Sequence, residues 1–136
     1  AAEGVTSVYI DRITVMTNTL NAADANTMLQ KMAQEAAGLA KDLDLIMHFF
    51  CHLRAPDTGP NHERGGAVLS TQFAGSRAMM RSCHVMLGIE GNKDPDLPED
   101  QRNIRELVLL EDRMTGNSGR VKLFWNKHNG SFNEIS

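Results

Sequence analysis

The longest regular pattern in the chain is helical, and it lies between two strand-like segments. Apolar residues recur at helical spacing from residue 25 to residue 43, and Asn21 or Asp24 is the candidate N-cap before them. Residues 5–10 form a short β-prone run ahead of this helix. Residues 45–53 follow it and are almost continuously apolar, which is typical of a strand buried on both faces of a parallel sheet. The order predicts a βαβ unit with a right-handed crossover.

The second half of the chain changes to short strands and turns. Residues 54–66 are rich in proline and glycine and predict a long surface loop. Ser70 or Thr71 is a candidate cap for a short helix that runs through Arg81. Strands are predicted at residues 85–89, 104–110, 121–125 and finally through Ile135, separated by a charged loop at 91–101 and turns at 115–119 and 127–130. The predicted fold is therefore α/β, with a parallel βαβ part followed by an antiparallel β-hairpin meander.

Length and charge limit what such a chain can be. With 136 residues, of which 41% are hydrophobic, we expect at most one domain with a packed core. A net charge of -3 argues against a protein that coats nucleic acid through bulk electrostatics, so any DNA contact must come from a local cluster. No apolar run reaches the roughly 18 residues of a transmembrane helix, and no signal-peptide pattern opens the chain. We therefore expect no membrane association.

The cysteines and the first residue add two expectations. Cys51 and Cys83 lie in apolar contexts without C-x-x-C spacing, which favours buried, reduced thiols in a cytoplasmic protein. The chain opens on Ala1 rather than on methionine, which suggests a processed or excised product. No grouping of histidine, cysteine and carboxylate residues has the spacing of a zinc site, so we predict no structural metal.

Two polar residues follow the two predicted parallel strands. Asp11 ends the first strand, where a carboxylate is suited to meet the Mg²⁺ of a bound nucleotide, although many strands simply end in a turn aspartate. His52 stands at the end of the next strand, where it either contacts a phosphate or is a histidine satisfied in the core. His48 and His84 lie in or beside apolar segments and are interpreted as structural, and His62 lies in the loop.

Two residues of the meander have comparable alternatives. Arg113 enters a glycine-rich turn, where a guanidinium is either solvated or held to reach a phosphate across a subunit boundary. Trp125, the only tryptophan, either stacks on a nucleobase or completes the small core.

The order of these features resembles one family, the RecA-like motor domain of DnaB-type hexameric replicative DNA helicases. Phage primase-helicases are most similar, and the mitochondrial helicase Twinkle is more distant. The resemblance covers about residues 7–134 and is carried by Ser7-Val8-Tyr9-Ile10-Asp11, Cys51-His52-Leu53-Arg54-Ala55-Pro56-Asp57, His62-Glu63-Arg64-Gly65, Gly75-Ser76, Asp112-Arg113-Met114-Thr115-Gly116-Asn117-Ser118-Gly119 and Trp125-Asn126-Lys127. It implies that residues 1–136 are a single partial domain, the C-terminal portion of the motor, lacking the P-loop strand.

The resemblance also implies a role for each candidate residue. Asp11 would hold Mg²⁺ through water, and His52 would sense the γ-phosphate of ATP or another NTP. Arg113 would act in trans on the nucleotide of a neighbouring subunit in a homo-hexamer, and Trp125 would stack on the base. Single-stranded DNA would contact the loop after His52, and the expected contacts are Arg54, Arg77 and Arg81. A phage protein in bacterial cytoplasm is the source that the resemblance suggests.

Several positions depart from the family pattern. Thr58 and Pro60 stand where relatives carry lysines, Ala74 replaces an arginine, and Glu111 replaces a basic residue two positions before Arg113. No G-x-x-x-x-G-K-S/T motif occurs, so we expect the isolated chain to hold no tightly bound nucleotide and to be inactive. Two alternatives remain: a standalone, catalytically dead module that docks on a helicase ring or binds single-stranded DNA, and a RecA-type recombinase.

Overall fold

The computed structural model describes residues 4–11, 21–73 and 77–135, without the side chains of residues 22, 25, 26 and 77–79. Contacts divide the chain into two compact units, which are described separately below. The first unit comprises Ala1–Arg54 and Phe73–Cys83, and the second comprises Ala55–Gln72 and His84–Ser136. The prediction of one domain over residues 1–136 stays a prediction. Within the described residues, no helix is long and apolar enough to cross a membrane.

The first unit contains the predicted βαβ arrangement. Strand β1 (Ser7–Ile10), helix α1 (Ala22–Leu43) and strand β2 (Ile46–Phe49) follow one another along the chain. The two strands pair in parallel, in a register that runs from Ser7 opposite Ile46 to Ile10 opposite Phe49. Parallel pairing requires a crossover connection, and α1 supplies it.

Helix α1 begins and ends at residues suited to those positions. Asn21 is its N-cap, with the side-chain oxygen accepting a hydrogen bond from the Asp24 amide at 2.9 Å, so the first of the two predicted candidates is the cap. The helix ends because Asp44 adopts a left-handed conformation, with φ of 54°. Its apolar stripe buries Leu29 and Ala33 almost completely, and Met32, Phe49 and Cys51 pack against them.

Strand β2 differs from its prediction in length and burial. It ends at Phe49, whereas the apolar run predicted a strand through residue 53. Its side chains alternate between half-buried and exposed, and Ile46 is 62% exposed, so the expectation of burial on both faces was wrong for the described strand. Phe49 packs towards α1, whereas on the other face His48 stacks on Tyr9 with ring centroids 4.4 Å apart.

The helix predicted from residue 70 or 71 through Arg81 is interrupted. Ser70–Gln72 form a 3-10 turn and α2 covers Arg77–Ser82, with Ala74, Gly75 and Ser76 outside the described residues. The reason lies at Phe73, whose backbone pairs with Leu53 in an isolated antiparallel bridge and so leaves the helical path.

The second unit is built on the predicted antiparallel meander. Its four strands pair in sequence order: β3 (Val85–Gly91), β4 (Ile104–Asp112), β5 (Gly119–Asn126) and β6 (Ser131–Glu134). A short helix, α3 (Glu99–Arg102), occupies part of the charged segment that was predicted as loop. Met86, Val108 and Val68 are the buried side chains of this unit, and a Cβ atom on Gly88 would lie 2.8 Å from Val68. Val68 therefore packs directly on the β3 backbone.

Candidate functional site

Asp11 and His52 lie at the same edge of the parallel pair. Asp11 directly follows β1, whose last carbonyl, that of Ile10, accepts a hydrogen bond from the Phe50 amide at 3.0 Å. His52 comes three residues after Phe49 and not at the strand end itself, because β2 is shorter than predicted. Both residues are exposed. The carboxyl edge of a parallel sheet is where open α/β folds bind their ligands, so the structure brings these two residues to a position suited to a nucleotide.

The three predicted DNA-contacting arginines belong to the first unit. Arg54 lies in the exposed segment just after the Leu53–Phe73 bridge. Arg81 is exposed in the last turn of α2. Arg77 opens that helix, but its side chain lies outside the described residues. Their role in binding DNA stays a prediction.

The turn that carries Arg113 is held by hydrogen bonds to the preceding aspartate. One carboxylate oxygen of Asp112 accepts from the Met114 amide at 3.0 Å, and the other accepts from the Thr115 hydroxyl at 2.8 Å. The Gly116 amide donates to the Asp112 carbonyl at 2.7 Å, and Gly116 adopts φ of 70°, a conformation that glycine allows at little cost. The Thr115 hydroxyl, with the Met114 amide, keeps the pKa of Asp112 below its usual value. These bonds give the turn a fixed geometry.

Arg113 itself has a partner of opposite charge within its own chain. Its backbone amide donates to the His84 carbonyl at 2.9 Å, which extends the β3–β4 pairing by one residue. Its Nε atom lies 3.5 Å from a carboxylate oxygen of Glu111, and both side chains are more than a third exposed. Exposed ion pairs of this kind contribute little to stability, so the guanidinium is held only weakly by this contact.

Trp125 forms an aromatic pair at the outer end of the meander. It lies opposite Phe132 in the β5–β6 register, with ring centroids 4.8 Å apart and the ring planes tilted by 50°. Trp125 is half-buried and Phe132 is 48% exposed. The pair is thus neither a closed core nor a free stacking platform, and both predicted roles for Trp125 remain open.

Residues 61–68, which we call the anchored segment, are fastened to the end of β3 and the residues after it. The Gly65 amide donates to the Gly91 carbonyl at 3.1 Å, and the Lys93 amide donates to the Glu63 carbonyl at 2.7 Å. The Arg64 guanidinium pairs with Asp94 at 2.8 Å. These contacts fix the downstream end of the loop that was predicted to face DNA.

Glu90 joins the anchored segment to β5. One carboxylate oxygen accepts from the Val68 amide at 2.9 Å, and the other accepts from Arg120 at 2.5 Å. Arg120 also donates to Glu106, the residue that faces Glu90 across the β3–β4 pair, at 2.8 Å. The Glu90 side chain is only 11% exposed. Burial raises the pKa of this carboxyl, but the bonds from Arg120 and the Val68 amide and the charges of Arg120 and His62 lower it further.

Sequence reasoning missed this arrangement. The available signal was a glutamate inside an apolar strand, at a position where alternation places it on the buried side with Met86 and Gly88. A charged residue at such a position needs a partner. An open cleft of about 230 Å³ lies beside Glu90 and is lined by His62, Glu63, Lys93 and Arg105 among others. Among the described residues, no group of three or more histidine, cysteine or acidic side chains is arranged to hold a metal ion.

Solved structures with the same fold define the class of protein. A solved helicase ATPase domain matches with a TM-score of 0.70 and 18% identity, covering 97% of this chain and 45% of that chain. A DnaB-like replicative helicase, solved in a study of its interactions with primase, matches with a TM-score of 0.63 and 16% identity over 82% of this chain and 26% of that one. The fold is that of RecA-like helicase ATPase domains, which confirms the predicted fold class.

The sequence comparison points to a phage relative. The DNA helicase/primase of Enterobacteria phage T3 is 28% identical over 116 residues, which is 85% of this chain and 20% of that protein. No protein-family model matches the chain. The resemblance to DnaB-type replicative helicases, including phage helicase-primases, is thereby confirmed. The chain spans about a fifth of the length of its phage relative and less than half of either solved neighbour.

Proposed function

We propose that this chain is a segment of the ATP-dependent motor of a replicative DNA helicase, which translocates on single-stranded DNA and unwinds duplex during replication. The observation that carries the proposal is the placement of Asp11 and His52 at one carboxyl edge of a parallel pair, in a fold shared with helicase ATPase domains. Ligand sites of open α/β sheets form at this edge, because strand ends there leave polar groups free to meet a ligand.

The residues at this edge fit part of a nucleotide site. Asp11 offers one exposed carboxylate, and Mg²⁺ is commonly held by one or two carboxylates together with water and the phosphates of its nucleotide. His52 is exposed beside it and presents an imidazole suited to contact a terminal phosphate. Nothing in the sequence supplies the glycine-rich loop and lysine that cradle a triphosphate. The isolated chain is therefore proposed to be inactive, with the phosphate cradle supplied by another part of the complete protein.

Arg113 and Trp125 are proposed to serve the nucleotide from the second unit. The Asp112 bonds fix the turn that presents Arg113, and a guanidinium held in this way is suited to stabilise phosphate charge. In a homo-hexamer Arg113 would act on the nucleotide of the adjacent subunit. Trp125 would stack on the nucleobase, with Phe132 supporting its ring.

Single-stranded DNA is the proposed substrate of the loop after His52. The loop is exposed, its downstream end is held by the anchored segment, and Arg54 supplies a cation for a phosphate. Arg77 and Arg81 on α2 would add contacts. The loop carries no lysine, so its grip on DNA is expected to be weaker than that of a basic loop.

One observation favours a second candidate, a catalytically dead module that docks on a helicase ring or binds single-stranded DNA. Glu111 pairs with Arg113 in the same chain and so competes with a phosphate for its guanidinium. A module without hydrolysis has no use for a free arginine at this turn.

The test of the proposed motor is ATP hydrolysis by the complete native product that carries this sequence, measured with and without single-stranded DNA. Asp11→Ala should abolish DNA-stimulated turnover, and His52→Ala should remove its dependence on DNA. Asp42→Asn, which neutralises an exposed carboxylate on α1, is the matched control and should turn over normally. Unchanged hydrolysis in Asp11→Ala would refute the motor assignment, as would reproducible ATP turnover by the isolated chain with regard to its inactivity.

A further inference from the structure

We propose that Glu90 is a positioning residue that transmits movement of the DNA-facing loop to the turn carrying Arg113. This inference rests on the proposed function, because it takes the loop as the DNA contact and Arg113 as the phosphate contact. It adds a specific connection between them, made by the two oxygens of one carboxylate.

The first half of the connection joins Glu90 to the loop. The exposed loop continues directly into the anchored segment, in which the Arg64 and Gly66 amides both donate to the Asn61 carbonyl, at 3.1 and 2.8 Å. At the far end of this segment, Val68 is 2% exposed and its amide donates to Glu90 at 2.9 Å. A pull on the loop is therefore carried by a short, hydrogen-bonded segment to a buried bond on Glu90.

The second half joins Glu90 to the strand that follows the Arg113 turn. Arg120 is the second residue of β5, and that strand begins at Gly119, directly after the turn. Arg120 reaches across β4 to Glu90 on β3 and is held on the way by Glu106 on β4. Both bonds are charge-assisted, a class that is shorter and stronger than hydrogen bonds between neutral groups.

Glu90 is suited to this role because its two bonds point to different structural elements. The carboxylate is nearly buried, so it cannot exchange either partner for water without a cost. Displacement of the Val68 amide therefore changes the position of the carboxylate relative to Arg120. Of the charged groups near Glu90, Arg120 and His62 favour its ionised form, and Glu106 shares the Arg120 guanidinium.

Hydrogen exchange of the intact chain tests the connection without DNA. Arg120→Met removes the β5 partner of Glu90 and should speed exchange of the Val68 amide about threefold to tenfold, because the carboxylate loses the bond that orients it. Lys122→Met is the matched control: it removes a cation on the same face of β5, two residues further on, and should change that exchange less than about twofold. Equal exchange of Val68 in the wild-type chain and Arg120→Met would overturn the proposal.

Addition of an oligo(dT) at low ionic strength tests the transmission. In the wild-type chain and in Lys122→Met, we expect slower exchange in residues 54–61 and a change in residues 113–118. In Arg120→Met, the response of residues 54–61 should persist and that of residues 113–118 should fall by at least half. An undiminished response of the turn in Arg120→Met would overturn the transmission alone. No response of residues 54–61 in the wild-type chain would contradict the proposed DNA contact and the transmission with it, while the DNA-free result would still report separately on the bond between Glu90 and Arg120.

Discussion

Gly66 closes the anchored segment, and a single methyl group there should disrupt it. A Cβ atom at this position would lie 2.3 Å from the Pro60 carbonyl oxygen and 2.7 Å from that of Asn61. Both neighbours are backbone atoms, and the Gly66 amide already donates to the Asn61 carbonyl at 2.8 Å. Neither oxygen can move aside as a flexible side chain would. Gly66→Ala must therefore open the segment or strain it.

The size of the effect follows from overpacking a close backbone contact, which typically costs about 1–3 kcal/mol. Urea unfolding followed by the fluorescence of Trp125 measures it, since the only tryptophan lies in the same unit as Gly66. With a urea dependence of about 1.5 kcal/mol per molar, a loss of about 2 kcal/mol lowers the midpoint by roughly 1.3 M. Oligo(dT) binding by the variant should weaken in parallel, because the loop loses its fixed end.

A second glycine provides the control. Gly38 lies within α1, in the other unit, and a Cβ atom there meets nothing within 4 Å. Gly38→Ala should stabilise the helix by about 0.5–1 kcal/mol, seen as a higher midpoint in circular dichroism at a helix wavelength. An unchanged Trp125 midpoint in Gly66→Ala would refute the close packing of the anchored segment.

Three further predictions concern titration, salt and thiol chemistry. The lowered pKa of Glu90 stabilises the fold above its unfolded value of about 4.3 and is lost as pH falls through the folded value, so Glu90→Gln should flatten the acid limb of Trp125-detected stability. Affinity for oligo(dT) should fall with salt at a logarithmic slope of about -0.7 for each phosphate contacted, and Arg54→Gln should reduce the slope by that amount. Burial and then the neighbouring Cys83 raise the pKa of Cys51, so iodoacetamide should label Cys51 several-fold more slowly in the folded chain than in urea; equal rates would contradict its burial.

The order and type of the main elements were predictable, because they depend on local patterns. Helical periodicity identified α1, the apolar run identified β2, and the alternating segments with glycine-containing turns identified the meander. The carboxyl edge that holds Asp11 and His52 followed from the strand order alone. The end of β2 was not predictable, since the run of apolar residues continues past the point where pairing with β1 stops.

The contacts that position the candidate site were not predictable from local sequence. Arg120 lies 30 residues from Glu90, and the backbone bonds of the anchored segment depend on which strand end it meets. No periodicity encodes such pairs, because they follow from the packing of distant segments. Glu111 and Arg113 are the exception, since residues two apart on a strand share one face and the departure from the family pattern was visible in the sequence.

The most direct test of the motor assignment is the intact mass of the native product that carries this sequence, captured from its source and measured by mass spectrometry. The assignment predicts a product several times heavier than 15.0 kDa, with a G-x-x-x-x-G-K-S/T motif upstream of Asp11. A native product of 15.0 kDa would contradict it and leave the docking module as the function of this fold.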